Sequence, residues 1–324
     1  ATFWYPGFDA QLAEFRLETD LPEGYDSVAG GDRVSRAVTN GRAVTVWRAS
    51  SPQDEITLTC GKYKEYKLHG KGPDIYAFLR EADDALAQKY LAAGRRYIDM
   101  YAGLLGPYPY GKFALVENFW ETGYGIPSFT LLGPKVIRLP FILNSSYPHE
   151  ILHNWWGNGV FVDHEKGNWC EGLTAYLADH LIAEGRGKGK EYRMTTLQKY
   201  SDYVRGGKDF PLRDFRSRHS SASEAIGYGK ALMFYHMLRT RLGDEKFKAG
   251  LRDFYKENKF KVASFEDLKR SFEKQTGRTR LDAFFAQWVD RTGAPELALK
   301  NVRLTRDLDE PALEFTIAQL QEGP

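Results

Sequence analysis

The chain has 324 residues, 42% of them hydrophobic and 14% aromatic, with 45 Lys and Arg against 43 Asp and Glu for a formal net charge of +2. That length exceeds one small core and calls for two or more domains. Interspersed, nearly balanced charge excludes an electrostatic case for nucleic acid or an anionic membrane, and no apolar run reaches transmembrane length. Cys60 and Cys170, far apart in unlike patterns, make no disulfide framework. With no initiator Met, no signal-like segment and strand-like sequence at both ends, the chain is expected to be a portion of a longer protein. Compartment and oligomeric state stay open.

Residues 1 to about 70 read as β structure, because Phe15 and Leu17, Val44 and Val46, then Ile56, Leu58 and Cys60 alternate at period two. Asn40-Gly41 is a hairpin signal between two of these runs. After Gly70-Lys71-Gly72-Pro73, the recurrence of Leu79, Ala82, Leu86, Tyr90, Ala93, Tyr97, Met100 and Leu104 predicts one long amphipathic helix, stopped by Gly106-Pro107. Strand-like runs over 113–116 and 136–139 enclose Gly123-Tyr124-Gly125-Ile126-Pro127, a strand edge to which an extended peptide could add itself. A short helix around 148–153, with Ser145 and Ser146 as caps, precedes a second helix from Trp169 to about Glu184. Helical patterns follow over 190–205, 222–242, 244–258, 264–276 and 280–291. Beyond Gly293-Ala294-Pro295 the alternation of Leu313, Phe315 and Ile317 with polar residues returns to β. The Arg186 to Arg193 stretch, basic and interleaved with glycine, reads as a solvated loop.

Chemistry concentrates in Pro148-His149-Glu150-Ile151-Leu152-His153. Four residues apart on a helix, His149 and His153 offer two imidazoles to one point and can hold Zn2+, with Glu150 one position round as a general base for a metal-activated water. Glu171, 18 positions after His153, is the expected third ligand. Three such ligands leave the fourth zinc position open, the pattern of a catalytic site. Glu171 could instead be the N3 partner of Asn168 in a capping box, a role that needs no metal. Asp179 is a possible orienter of a ligand histidine. Cys170 reads as packing, His164 as an exposed loop residue, and Arg218 and His219 as polar loop residues near the cleft. Tyr228, between small neighbours in Gly227-Tyr228-Gly229 and in a helix that Ser221 and Glu224 could cap, is either an oxyanion-stabilising phenol or a core tyrosine on the stripe with Leu232 and Tyr235.

The run His149-Glu150-Ile151-Leu152-His153-Asn154-Trp155-Trp156-Gly157-Asn158, with Glu171-Gly172-Leu173-Thr174 and Tyr228-Gly229-Lys230-Ala231, resembles the M1 family of zinc aminopeptidases, a gluzincin group. Trp4-Tyr5-Pro6 and Gln287-Trp288-Val289 are similar to further landmarks of that family. The resemblance implies an α+β protein: a thermolysin-like, mostly helical catalytic domain over 71–296, preceded by the C-terminal part of a β-sandwich domain over 1–70 and followed by the start of a further β domain over 297–324. It implies one Zn2+ per chain held by His149, His153 and Glu171, Glu150 as general base, Tyr228 as oxyanion stabiliser, and a peptide as substrate. Two departures stand out. The spacing from His153 to Glu171 is one residue shorter than usual. The family's G-x-M-E-N segment, whose glutamate grips the substrate's free amine, is Gly123-Tyr124-Gly125-Ile126-Pro127 here, with no carboxylate. Gly123, Tyr124 and Gly125 are still expected to hold the substrate backbone, and Glu121, ahead of Glu117, is the expected substitute for the amine anchor. An endopeptidase, a peptidase for blocked termini, and a non-catalytic binding protein on the same scaffold are the rival readings.

Overall fold

A computed structural model describes residues 4–6, 11–277, 280–307 and 310–321. The N-terminal layer is antiparallel: β1 (Ala13–Pro22), β2 (Asp26–Ala29), β3 (Asp32–Thr39), β4 (Arg42–Gln53) and β5 (Leu58–Gly61) form a sheet of order β1-β4-β3 and a β2-β5 pair. At the β3–β4 hairpin both Asn40 and Gly41 have positive φ (53° and 73°), which is what a two-residue turn of this hand demands.

The sheet that carries the site follows. β6 (Lys64–Leu68), β7 (Asp74–Leu79), β8 (Lys112–Glu117), β9 (Gly123–Ile126) and β10 (Phe129–Leu132) take the order β6-β7-β8-β10-β9. The three central strands are parallel and the two outer ones antiparallel. A division at residue 70 would cut the β6–β7 hairpin, so the strands of this sheet begin at Lys64. The crossover between β7 and β8 is α1 (Asp84–Leu105), whose first turn is capped by the Asp83 carboxylate accepting from Leu86 N at 2.9 Å.

Two expectations are corrected here. The long helix starts at Asp84, not Leu79, because Ile75-Tyr76-Ala77-Phe78-Leu79 is a strand buried on both faces. Such a strand is an unbroken apolar run that period alone cannot distinguish from helix. The run at Val136 is a 3-10 turn (Val136–Arg138). Both Glu121 oxygens capture backbone N–H groups there, from Lys135 at 3.1 Å and Val136 at 3.2 Å, which favours a helical start over a strand. The strand in this part of the chain is β10.

The helical half packs against the other side of α1. α2 (Ser146–Leu152) has under two turns, and His153 extends it with helical φ and ψ as its C-cap. The short β11 (Phe161–Val162) leads to α3 (Cys170–Ala175), which passes through a π-helical segment (Tyr176–His180) into α4 (Leu181–Gly185). α5 (Gly189–Tyr203) is followed by α6 (Ser221–Glu224), a second π segment (Ala225–Lys230) and α7 (Ala231–Leu242). Ser220 and Ser223 form the capping box at the start of α6, one residue before the expected Ser221. α8 (Asp244–Asn258), β12 (Val262–Ala263), α9 (Phe265–Thr276) and α10 (Asp282–Val289) complete the half, and β12 pairs in parallel with β11. Trp155, Trp156, Trp169, Tyr147 and Tyr235 are fully buried where α1, α2, α3 and α7 meet. Among the described residues no helix is long and apolar enough to cross a membrane. β13 (Leu297–Asp307) and β14 (Glu310–Gln319) form a separate antiparallel hairpin with Leu299, Leu304, Leu313 and Ile317 exposed.

Candidate metal centre and catalytic cleft

α2 and α3 bring three donors together. His149 Nε2 and His153 Nε2 each lie 3.6 Å from Glu171 Oε2, and the three atoms fall within 4.8 Å of one another. A tetrahedral ion about 2.0–2.1 Å from each donor would separate them by about 3.3 Å, so the set fits zinc. Among the described residues the buried Glu171 Oε2 has no hydrogen-bond partner, a costly state for a carboxylate oxygen unless a cation satisfies it. Asn168 does cap the helix, its Oδ1 accepting from Cys170 N at 3.0 Å and Glu171 N at 3.4 Å. The Glu171 side chain points away from that cap towards the imidazoles. Asn168 thus caps the turn, but no capping box forms, because its own N–H donates to the Phe215 carbonyl at 2.8 Å and not to Glu171.

Each histidine is oriented from behind. His149 Nδ1 lies 2.8 Å from Asp179 Oδ2, and His153 Nδ1 lies 3.0 Å from the Trp156 carbonyl. These acceptors require the proton on Nδ1, which leaves Nε2 bare for a metal. Asp179 reaches His149 from the first π segment. The role of the Trp156 carbonyl left no trace in the sequence, because main-chain groups carry no residue identity. Cys170 Sγ is 3.5 Å from His153 Nδ1, on the side of the ring away from Nε2, and is buried as packing.

The electrostatics also call for positive charge. Burial opposes protonation of His149 but is outweighed by Asp179, and for His153 it is outweighed by the Cys170 sulfur and Glu171, so both basicities are raised. Burial likewise opposes ionisation of Glu171, yet His153 and His149 hold its pKa well below the usual carboxylate range. Glu150 goes the other way: burial raises its pKa, as suits a proton carrier.

Glu150 faces β9. A Cβ at Gly123 would lie 3.4 Å from Glu150 Oε1, and one at Gly125 would lie 2.9 Å from Glu150 Oε2 and 2.9 Å from His153 Cβ. Glycine at 125 is therefore a condition of the strand passing this close. Tyr228 stands on the second π segment, its ring stacked 6.4 Å from that of His149. Burial, then the Glu171 carboxylate, push its pKa far up, so the phenol keeps its proton. Gly227 lets this segment approach, since a Cβ there would lie 2.2 Å from the Phe215 ring. π segments recur at functional sites, and here each carries one side chain aimed at the donors.

These groups line a cleft of about 1410 Å³ that also includes Glu121, Tyr124, Asp54, His164 and Arg218. Tyr124 is 55% exposed on the edge strand. His164 is exposed in a 3-10 turn, and Arg218 is paired with Glu224. His219 is exposed and hydrogen-bonds the Ser217 carbonyl. Glu117 is buried and tied to Arg138 at 2.6 Å, so it is not available to a ligand.

A short helix bearing two imidazoles, a carboxylate from the next helix and a cleft edged by a lone strand place the molecule among proteins built like zinc metallopeptidases. Residues 145–288, from α2 through α10, match the model of the peptidase family M1 domain. That segment is similar to the peptidase family M1 domain, as the resemblance of its motifs implies. It is 21% identical over 328 residues to the Tricorn protease-interacting factor F2 of Thermoplasma volcanium, covering 92% of this chain and 41% of that protein. It is 20% identical to a leucyl aminopeptidase of Saccharolobus solfataricus, covering 90% and 40%. The chain thus spans about two fifths of the length of these relatives. Among solved structures, the M1 zinc metallopeptidase of Deinococcus radiodurans matches with a TM-score of 0.68 at 18% identity, over 89% of this chain and 65% of that one. At that identity the likeness is one of fold.

Proposed function

We propose that the chain is the catalytic portion of a zinc-dependent peptide hydrolase acting as an aminopeptidase. The convergence of His149, His153 and the unpartnered Glu171 oxygen beside Glu150, in a cleft edged by β9, carries this reading. The name of the leucyl aminopeptidase relative supports it. When bound, Zn2+ supplies the Lewis acidity that polarises the scissile carbonyl and acidifies the attacking water. Glu150 accepts the water proton and passes it to the leaving amine. Tyr228, kept protonated, donates to the carbonyl oxygen as charge develops there. Gly123, Tyr124 and Gly125 hold the substrate main chain extended. Glu121, pinned by the Lys135 and Val136 N–H groups at the start of β9, receives the free α-amine.

One observation favours a second reading, an endopeptidase or an enzyme for blocked termini. Ile126, at the family's amine-anchor position, packs against an apolar cluster with Phe129 and Val116. Free and N-acetylated peptides separate the two. Chelator-sensitive release of the first residue from free peptides alone is the expected result. Equal cleavage of acetylated peptides selects the second reading, and no chelator-sensitive hydrolysis of either removes both. Glu150→Gln is expected to lose at least ~100-fold in hydrolysis while still binding one zinc.

A further inference from the structure

Among the described residues β9 is paired on one side only, by β10. Ile126 stands opposite Phe129, Gly125 opposite Thr130, Tyr124 opposite Leu131 and Gly123 opposite Leu132. A two-residue connection makes Ile126 and Phe129 a hydrogen-bonded pair, and the alternation then turns the main-chain groups of Gly123 and Gly125 away from β10. The Tyr124 carbonyl, on the β10 side, accepts from Thr130 Oγ1 at 2.9 Å.

Of the outward groups, the Gly125 carbonyl is already taken. Asn158 Nδ2 donates to it at 3.2 Å. Asn158 is itself fixed, its N–H donating to the His153 carbonyl at 3.1 Å and its carbonyl accepting from Tyr110 Oη at 2.6 Å. At the turn that follows β9, the buried Asn154 accepts from Ser128 N at 2.9 Å and donates to the Ile151 carbonyl at 2.9 Å. Ser128 has a φ of 70°, a strained conformation for a residue with a side chain. Both carboxamides spring from the segment that begins with His149. The height of the edge strand over Glu150 is thus set by two side chains of the metal-binding segment as well as by the sheet.

We propose that Asn158 is a positioning residue that sets the register of an extended peptide on β9, with Asn154 holding the turn behind it. This rests on the peptide-hydrolase reading above. By occupying the Gly125 carbonyl, Asn158 ends the ladder at that point. The Gly123 N–H and C=O and the Gly125 N–H remain to pair with peptide main chain. The same bond keeps β9 from sliding along Glu150, where Gly125 has no room to spare.

Asn158→Ala and Asn158→Asp, which keeps the size but loses the donor, test this with a tripeptide substrate. KM is expected to rise about tenfold in both, the worth of one hydrogen bond, with kcat within about threefold of the wild type. Asn158→Gln, which restores a donor, is expected to recover part of the loss, while zinc content stays unchanged and Tm falls by no more than about 4 °C in all three. A purely structural role would instead lower Tm further and zinc content with it, with no KM difference between the Asp and Gln variants. The same tripeptide titrated onto Glu150→Gln protein, with and without Asn158→Ala, reads binding apart from turnover. Loss of wild-type hydrolysis would remove the function, whereas an unchanged Kd, or no binding to either protein, would overturn the role of Asn158.

Discussion

The two sides of the cleft are built on opposite principles. On the metal side, position comes from side chains that are present: His149 backed by Asp179, His153 by the Trp156 carbonyl, and Glu171 facing both. On the substrate side, Asn154 and Asn158 hold the strand, but its closeness depends on side chains that are missing, since Gly123 and Gly125 allow bare backbone to run against Glu150. The metal ligands resist change through directional contacts, the two glycines through lack of space. A substitution therefore fails differently on each: loss of a partner on one, collision on the other.

The largest effect that would test this contrast lies at Tyr228, which faces the donors from across the cleft. Tyr228→Phe removes one hydroxyl and no packing, so kcat is expected to fall about 100- to 1,000-fold with an unchanged melting curve and zinc content. A variant of near-normal turnover would return Tyr228 to the core-tyrosine role. Next in size, Asp179→Ala frees the His149 ring. Zinc affinity, read by chelator competition, is expected to weaken about 10- to 100-fold, and unaltered affinity would mean that the ring is held without its partner. The smallest is Gly125→Ala, whose methyl would meet Glu150 Oε2 and His153 Cβ at 2.9 Å. Overpacking of this kind costs about 1–3 kcal/mol, so Tm should drop modestly while peptide KM rises and zinc affinity holds. A zinc loss as large as that of Asp179→Ala would erase the distinction between the two sides.

Much of the metal side was legible in the residues, because four-residue spacing on a helix dictates a shared face and imidazole and carboxylate are unambiguous ligand chemistry. Asp179 could be flagged, but not its reach. It stands eight positions after Glu171, and only the π segment that contains it decides which way it points. A π segment is a change of hydrogen-bond partner, not of residue type, and nothing in Tyr176-Leu177-Ala178-Asp179-His180 announces it. The substrate side was legible as a glycine cluster at an edge, though not as a strand clamped by Asn154 and Asn158, because those contacts join segments 26 and 33 residues apart. The helix start expected at Leu79 and the strand expected at Val136 fail for a related reason. Burial on both faces, and capture of N–H groups by the distant Glu121, are tertiary facts that local period does not carry.

The paired π segments bear on how such a protein can vary. Each inserts the equivalent of one extra residue into an otherwise regular helix, and so rotates everything beyond it by about 100°. Deleting a residue there would keep composition, hydrophobic stripe and helix length nearly intact, yet swing Asp179 or Tyr228 to a different face. Loops tolerate a gained or lost residue better than regular elements do, whereas these two helices count every one.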